Sequence, residues 1–367
     1  MKILLVDILR SGLEEIWPAA EHSIGLMYMS AVLKQEFGDR VDMTLRSLIS
    51  LPHHADDDRD AMQTMLKELQ PDVDGVRSLT LSSDCVETVA RVVKTWNSGC
   101  FLIAGGPYAS DDPAEVLRSG LVDVAVIGEG EDTMRELTQC LLDGTPFQQV
   151  DGLAFRNNGT CERTAPRSVI PDLDVLPFPD YSVVDLDAFS NRYLNFTAKM
   201  STPHANIMTS RGCPYRCAYC HNILGKAFRP RSPENVFAEI RWIHDTLGIT
   251  DFQVIDDIFN LDIERAKRIC DLVIQSGMKL TFAFPNAIRA DRMDEELMEK
   301  MARAGTKFTS IAIETASRRL QKLIKKNLDL DAAFRTIELC SQAGITTRGF
   351  FMLGFPTETE EEALSTI

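Results

Sequence analysis

TSRGCPYRCAYC, Thr209 to Cys220, sets three cysteines close together as Cys213-x-x-x-Cys217-x-x-Cys220, and no fourth cysteine stands nearby. Thiolates are soft ligands suited to zinc, copper(I) or iron–sulfur clusters. Structural zinc takes four protein ligands, and electron-carrying iron–sulfur proteins normally supply four cysteines per cluster. His221 follows Cys220 directly, so a Cys3His zinc site is arithmetically open, although adjacent side chains point apart. Three cysteines on a four-iron cluster would instead leave one iron free for a substrate, which is a catalytic arrangement.

Outward from the triplet the chain has a βα rhythm. Ala205–Thr209, Asp251–Asp256, Lys279–Phe284, Phe308–Glu314 and Thr347–Leu353 read as strands. Pro233–Leu247, Ile263–Ser276, Asp294–Ala304 and Leu330–Ala343 read as the helices between them. The pattern predicts a TIM-like barrel or an incomplete one, whose site lies at the carboxyl ends of its strands. The cysteines directly follow the first of these strands.

A second βα series occupies the first 140 or so residues. Lys2–Ile8, Val41–Leu48, Val73–Leu81, Cys100–Ala104 and Val122–Ile127 are apolar runs of the kind that parallel strands buried on both faces require. Leu26–Phe37, Ala61–Leu69, Val86–Asn97 and Thr133–Leu142 have helical patterns. A doubly wound sheet follows, with ligands expected beyond the carboxyl ends of its strands. Two glycine-bearing turns fall there, Gly105-Gly106-Pro107 and Gly128-Glu129-Gly130-Glu131. Between the two series lie a hairpin around Asn157-Asn158-Gly159 and a linker with prolines at 171, 177 and 179. The division is therefore 1–145, 146–200 and 201–367.

Composition narrows the function. The formal charge is −15, which disfavours general binding to nucleic acid or to an anionic membrane. The one dense basic run, Arg318-Arg319 with Lys322, Lys325 and Lys326, reads as a solvated helix face. No stretch approaches the roughly 18 apolar residues of a membrane span, and MKILLVDILR fits a buried strand better than a signal peptide. The other six cysteines show no framework spacing and read as reduced thiols of a cytoplasmic protein. ETEEEALSTI, Glu358 to Ile367, begins a helix without a cap or a following strand, so the fold is expected to continue past Ile367.

Cys213-x-x-x-Cys217-x-Tyr219-Cys220 resembles the CxxxCxΦC signature of the radical S-adenosylmethionine (SAM) superfamily, with Tyr219 at the aromatic position. VIDDIFN (Val254–Asn260), IAIETAS (Ile311–Ser317) and FMLGFPTET (Phe351–Thr359) are similar to later strand ends of that barrel, with Thr315-Ala316 for Ser-Gly and Thr357 for Gly. NAIRADRMDEELMEKMARAG (Asn286–Gly305) resembles its third strand end and helix. IAGGPYAS and VIGEGED resemble the GGPHAT and GEGE turns of cobalamin-binding domains. The whole chain thus resembles the B12-binding radical SAM family.

That resemblance implies a [4Fe-4S] cluster on Cys213, Cys217 and Cys220. It implies SAM near Tyr219, Asp257, Glu314, Gly349 and Gly354, and cobalamin near Gly105, Gly106, Pro107, Gly128, Glu129 and Gly130. Its cofactors imply a 5′-deoxyadenosyl radical that activates a carbon of a small-molecule substrate, which then receives a methyl group from methylcobalamin. An electron donor such as flavodoxin or ferredoxin would feed the cluster. Two alternatives stay open: radical chemistry without methylation, as in ring closure, contraction or oxidation, and a cobalamin or cluster sensor without turnover. In the first loop, Ala20-Glu21-His22-Ser23-Ile24-Gly25 keeps the His and Gly of the Asp-x-His-x-x-Gly cobalt-binding motif but lacks its Asp. A ligating imidazole needs that carboxylate for orientation and basicity, so His22 is expected not to ligate cobalt.

Overall fold

The computed structural model describes residues 1–10, 23–50, 55–184 and 203–367. His22 lies outside the described residues. The chain divides into two compact units, Met1–Pro171 with Val175–Leu194, and Asp172–Asp174 with Asn195–Ile367.

In the first unit, β1 (Lys2–Arg10), β2 (Asp42–Ser50), β3 (Val73–Arg77), β4 (Phe101–Gly105) and β5 (Val124–Val126) are parallel. The order across the sheet is β2-β1-β3-β4-β5-β6-β7. The inner strands β1, β3, β4 and β5 are buried because helices cover them, with Val6, Val124 and Ala125 having no exposed surface, whereas the edge strand β2 leaves Asp42, Arg46 and Ser47 exposed. The helix Ser83–Trp96 packs Val86, Val89 and Val93 against Leu4, Val76 and Leu102 of the sheet. β6 (Leu153–Asn157) and β7 (Thr160–Arg163) are the expected hairpin, turning through Asn158 (φ 48°) and Gly159 (φ 87°), the left-handed pair of a type I′ turn. It does not stand apart: β6 pairs antiparallel with β5 and so extends the first sheet.

In the second unit, β8 (Ala205–Ile207), β11 (Asp251–Val254), β12 (Thr281–Ile288), β13 (Thr306–Glu314) and β14 (Thr346–Phe351) form a parallel sheet in the order β14-β13-β12-β11-β8. Helices Pro233–Leu247, Ile263–Ser276, Glu295–Ala304 and Leu330–Gln342 connect them, each with a Ser or Asp N-cap accepting from a backbone N–H. This is the (β/α) pattern of a partial barrel. A short ladder of β9 (Ser210–Arg211) and β10 (Arg229–Pro230) brackets the cysteine loop. Among the described residues no helix is long and apolar enough to cross a membrane.

Two expectations change. β3 ends at Arg77, four residues short of Leu81, because Leu79 and Leu81 are exposed, at 43% and 68%, and pass into a 3-10 turn. The basic run is not wholly solvated: Lys326 is buried at 7%, turned inward by the left-handed residues Lys325 (φ 56°) and Asn327 (φ 48°) on either side.

Candidate active site

The cysteine loop is fixed from below before any ligand is considered. Asp256 accepts from the Thr209 N–H at 2.6 Å, the Thr209 hydroxyl at 2.5 Å and the Ser210 hydroxyl at 2.6 Å. Burial pushes the Asp256 carboxyl above its ordinary range, opposed by Arg265 and by these bonds. Arg265, on the helix Ile263–Ser276, donates to the carbonyls of Thr209 and Arg231. Arg231 in turn donates to the Met208 carbonyl at 3.0 Å and pairs with Glu239, whose side chain has no exposed surface. These buried charges hold the end of β8 and the start of the loop in one place.

Gly212 then makes the loop possible. It has φ +81°, and a Cβ there would stand 2.3 Å from the Ala227 carbonyl oxygen and 3.0 Å from that of Leu224. Only glycine fits a left-handed position with backbone this close. Gly212→Ala is expected to cost at least about 2–3 kcal/mol locally. Limited proteolysis of the 212–227 loop and iron uptake both read the outcome; an alanine variant with unchanged protection would refute it.

Beyond Gly212, the Cys213 N–H donates to the Gly225 carbonyl at 3.3 Å and the Cys220 N–H to the Cys217 carbonyl at 3.2 Å. The Ala218 N–H donates to the Ile324 carbonyl at 2.8 Å. None of the three cysteines is in a disulfide, so their sulfur atoms are available as ligands. Burial is the largest cause raising both the Cys213 and Cys220 thiols; Asp257 raises them further and Lys226 opposes. Among the described residues no three Cys, His, Asp or Glu groups converge on a point as a single metal ion requires. A cluster does not ask for convergence, since each thiolate takes a separate iron, and a partly buried loop with free thiols fits it.

Around the loop the sequence-chosen residues fall into place unevenly. Tyr219 donates its hydroxyl to Glu314 at 3.0 Å, and Lys326 donates to that hydroxyl at 3.1 Å and to the same carboxylate at 3.2 Å. Burial, then the Glu314 charge, drive the Tyr219 phenol upward, so it stays a proton donor. Glu314 is the last residue of β13, buried at 6%, and holds φ +69°, a strained setting for a non-glycine residue. Asp257 lies 3.6 Å from His221 Nε2, and burial raises its carboxyl. Gly354 has φ +85° and donates to Glu358 at 2.5 Å, in the loop after β14. Gly349 sits within β14, and a Cβ there would meet the ring of the exposed Phe351 at 2.6 Å.

The two turns of the first unit share one hydroxyl. Ser110 donates to the Gly106 carbonyl at 2.9 Å and accepts from the Gly128 N–H at 3.0 Å. Gly106, at φ +87°, has no room for a Cβ, with Arg77 Cγ at 2.7 Å, and Pro107 opens the helix Gly106–Asp111. Gly105 and Gly128 instead face open space, with nothing within 4 Å of where a Cβ would stand, as a backbone surface for a ligand needs. A Cβ at Gly130 would stand 2.8 Å from the Met29 side-chain methyl. Glu129 accepts the Ile170 N–H at 3.0 Å.

Sequence reasoning missed Lys326, Asp256, Arg265 and Ser110. Of these, Asp256 had a signal, since in Asp256-Asp257 adjacent residues at a strand end face opposite sides.

Comparison with known proteins accords with this geometry. The radical SAM superfamily model matches residues 207–367, and the B12 binding domain model matches 18–138. An uncharacterized methyltransferase of Pyrococcus horikoshii is 28% identical over all of this chain and 77% of its own length. An anaerobic magnesium-protoporphyrin IX monomethyl ester cyclase of Cereibacter sphaeroides is 25% identical over 81% of this chain, which spans only 48% of it. Among solved structures, the radical SAM methyltransferase TsrM of Kitasatospora setae superposes with a TM-score of 0.75 at 19% identity, over 100% of this chain and 70% of that one. With the two domain models matched in tandem and the whole fold shared, the chain belongs to the cobalamin-dependent radical SAM enzymes, whose cofactors are a [4Fe-4S] cluster, SAM and cobalamin.

Proposed function

We propose that the chain is a methyltransferase that delivers a methyl group to an unactivated carbon of a small molecule. The observation that carries the reading is the clamped loop of three free thiols at the carboxyl ends of the barrel strands, beside the Tyr219–Glu314–Lys326 contact. The methyltransferase relative adds to it. When bound, the cofactors together supply a 5′-deoxyadenosyl radical and a transferable methyl group.

The protein's own part is placement. Cys213, Cys217 and Cys220 would hold the [4Fe-4S] cluster through their thiolates. Tyr219, Asp257, Glu314, Gly349 and Gly354 surround SAM, with Glu314 held in its strained position by Lys326. Gly105, Gly106, Pro107, Gly128, Glu129 and Gly130 would cradle cobalamin within residues 1–145, residues 201–367 would carry the radical chemistry, and 146–200 lie between them in sequence, their hairpin belonging to the first sheet. The electron donor is a flavodoxin or ferredoxin, and the compartment is the cytoplasm. The cyclase relative favours a second reading, radical chemistry without methylation.

Anaerobic reconstitution with iron, sulfide and hydroxocobalamin, followed by SAM and a strong reductant, separates them. S-adenosylhomocysteine together with 5′-deoxyadenosine is the expected result. Deoxyadenosine alone would favour the second reading, and neither product would favour a sensor.

A further inference from the structure

The inner face of the second sheet carries a cation that no mechanism above uses. Strand register sets Asn206, Gln253, Ala283, Phe308 and Thr346 side by side across β8, β11, β12, β13 and β14. Ser310 and Arg348 lie side by side in the next row toward the carboxyl ends. Alternation along β11 puts Gln253 on the side of Asp257, and Phe252 and Asp256 on the side of Arg265 and its helix.

Arg348 lies across this face. Its Nε donates to the buried Ser310 hydroxyl at 3.1 Å, and a terminal nitrogen donates to the Pro285 carbonyl at 2.9 Å. The guanidinium stands 5.4 Å from the Phe308 ring centre and 4.6 Å from that of Phe350. Two neutral acceptors and two aromatic rings orient the fork but do not neutralise it. Burial is the sole cause pulling the Arg348 pKa down, with no carboxylate among the described residues opposing it. Gln253 has no exposed surface, and neither its amide nitrogen nor its oxygen has a hydrogen-bond partner among the described residues. A half-buried cation without a counter-charge and a buried amide without partners are both costly unless a ligand completes them.

We propose that Arg348 anchors an anionic group of the substrate, a carboxylate or a phosphoryl group, on the inner face of this sheet. A guanidinium fork with free N–H groups matches planar or tetrahedral oxyanions bidentately. This rests on the reading of the second unit as a barrel that binds a small molecule on its inner face. The same chemistry exists in one cofactor, because SAM carries a carboxylate of its own, so the test distinguishes the two sources.

The reconstituted full chain is dialysed to equilibrium against radiolabelled inorganic phosphate and, separately, succinate. Saturable binding of one equivalent of either probe is expected. Arg348→Gln should weaken it about tenfold or more, and Arg348→Lys less. SAM binding by the same method should not change in any of them. Wild-type affinity in Arg348→Gln, or the absence of probe binding in the wild type, would overturn the anchor. So would displacement of the probes by SAM together with weakened SAM binding in Arg348→Gln, which would give the guanidinium to SAM instead. A wild type that binds phosphate through Arg348 but never cleaves SAM would uphold the anchor and sink the methyltransferase reading alone.

Discussion

Cys217→Ala is expected to fold, to bind cobalamin, and to hold no iron–sulfur cluster. The backbone around Cys217 is fixed through the Ala218 N–H on Ile324 and the Cys220 N–H on its own carbonyl, so the loop does not need the thiol to keep its shape. What the substitution removes is one of three ligands in a set with no reserve, since no other cysteine lies near the triplet. Iron and sulfide content after anaerobic reconstitution should fall to background, and SAM cleavage should drop on the order of a thousandfold or more. Cobalamin uptake, read from its own absorption, serves as the control for folding of the first unit. A Cys217→Ala chain that still produces 5′-deoxyadenosine would mean that this loop does not carry the cluster.

The outline of this molecule is legible in its sequence for a physical reason. Parallel strands covered on both faces must be nearly continuous apolar runs, so LLVDI, FLIAG and VAV stand out in the first unit, and in the second unit the connecting helices start at Ser or Asp caps. The cysteine spacing was equally plain, because ligand identity and order are one-dimensional facts. What stayed hidden is what depends on direction. Lys326 sits in a run of five basic residues whose spacing suits a solvated face, yet two left-handed residues turn its ammonium onto Glu314. Gln253 and Arg348 look like ordinary strand residues until the register puts both on the inner face. Thr357 stands where the related motif has glycine, and it keeps the glycine-like φ of +69° that β-branched residues rarely hold. Arg319 accounts for its survival there, donating to its hydroxyl at 3.1 Å and its carbonyl at 2.7 Å. The motif departure is a strained residue held in place by a cation.

Asp74 gives the second large effect, on stability and its pH dependence. It stands in the middle of β3 between Leu4 and Leu102, both about 1% exposed, and has no exposed surface itself. Neither carboxylate oxygen has a hydrogen-bond partner among the described residues. Burial pushes its carboxyl up to about 8 from an ordinary 3.8. The folded chain therefore keeps a proton that the unfolded chain gives up near pH 4. Stability from this group is present in full below about pH 4 and is lost as pH climbs toward about 8, at roughly 1.4 kcal/mol per pH unit. The whole span is on the order of 5 kcal/mol, a large share of what a domain of this size has. Asp74→Asn removes the titration but leaves a buried polar group, so its urea midpoint should be flat between pH 5 and 8 where the wild type declines. Asp74→Leu also removes the unpaired polar atoms and should exceed the wild type at pH 8 by several kcal/mol. Parallel pH profiles for Asp74→Asn and the wild type would show that the carboxyl is not held protonated. The Cys100 thiol beside it, pushed to about 12 by burial and by the Asp74 charge, is neutral in the same range, so at neutral pH neither of these two buried groups carries a charge. An acid tolerated in the sheet on those terms leaves the first unit most stable under mildly acidic conditions and weakest above pH 8.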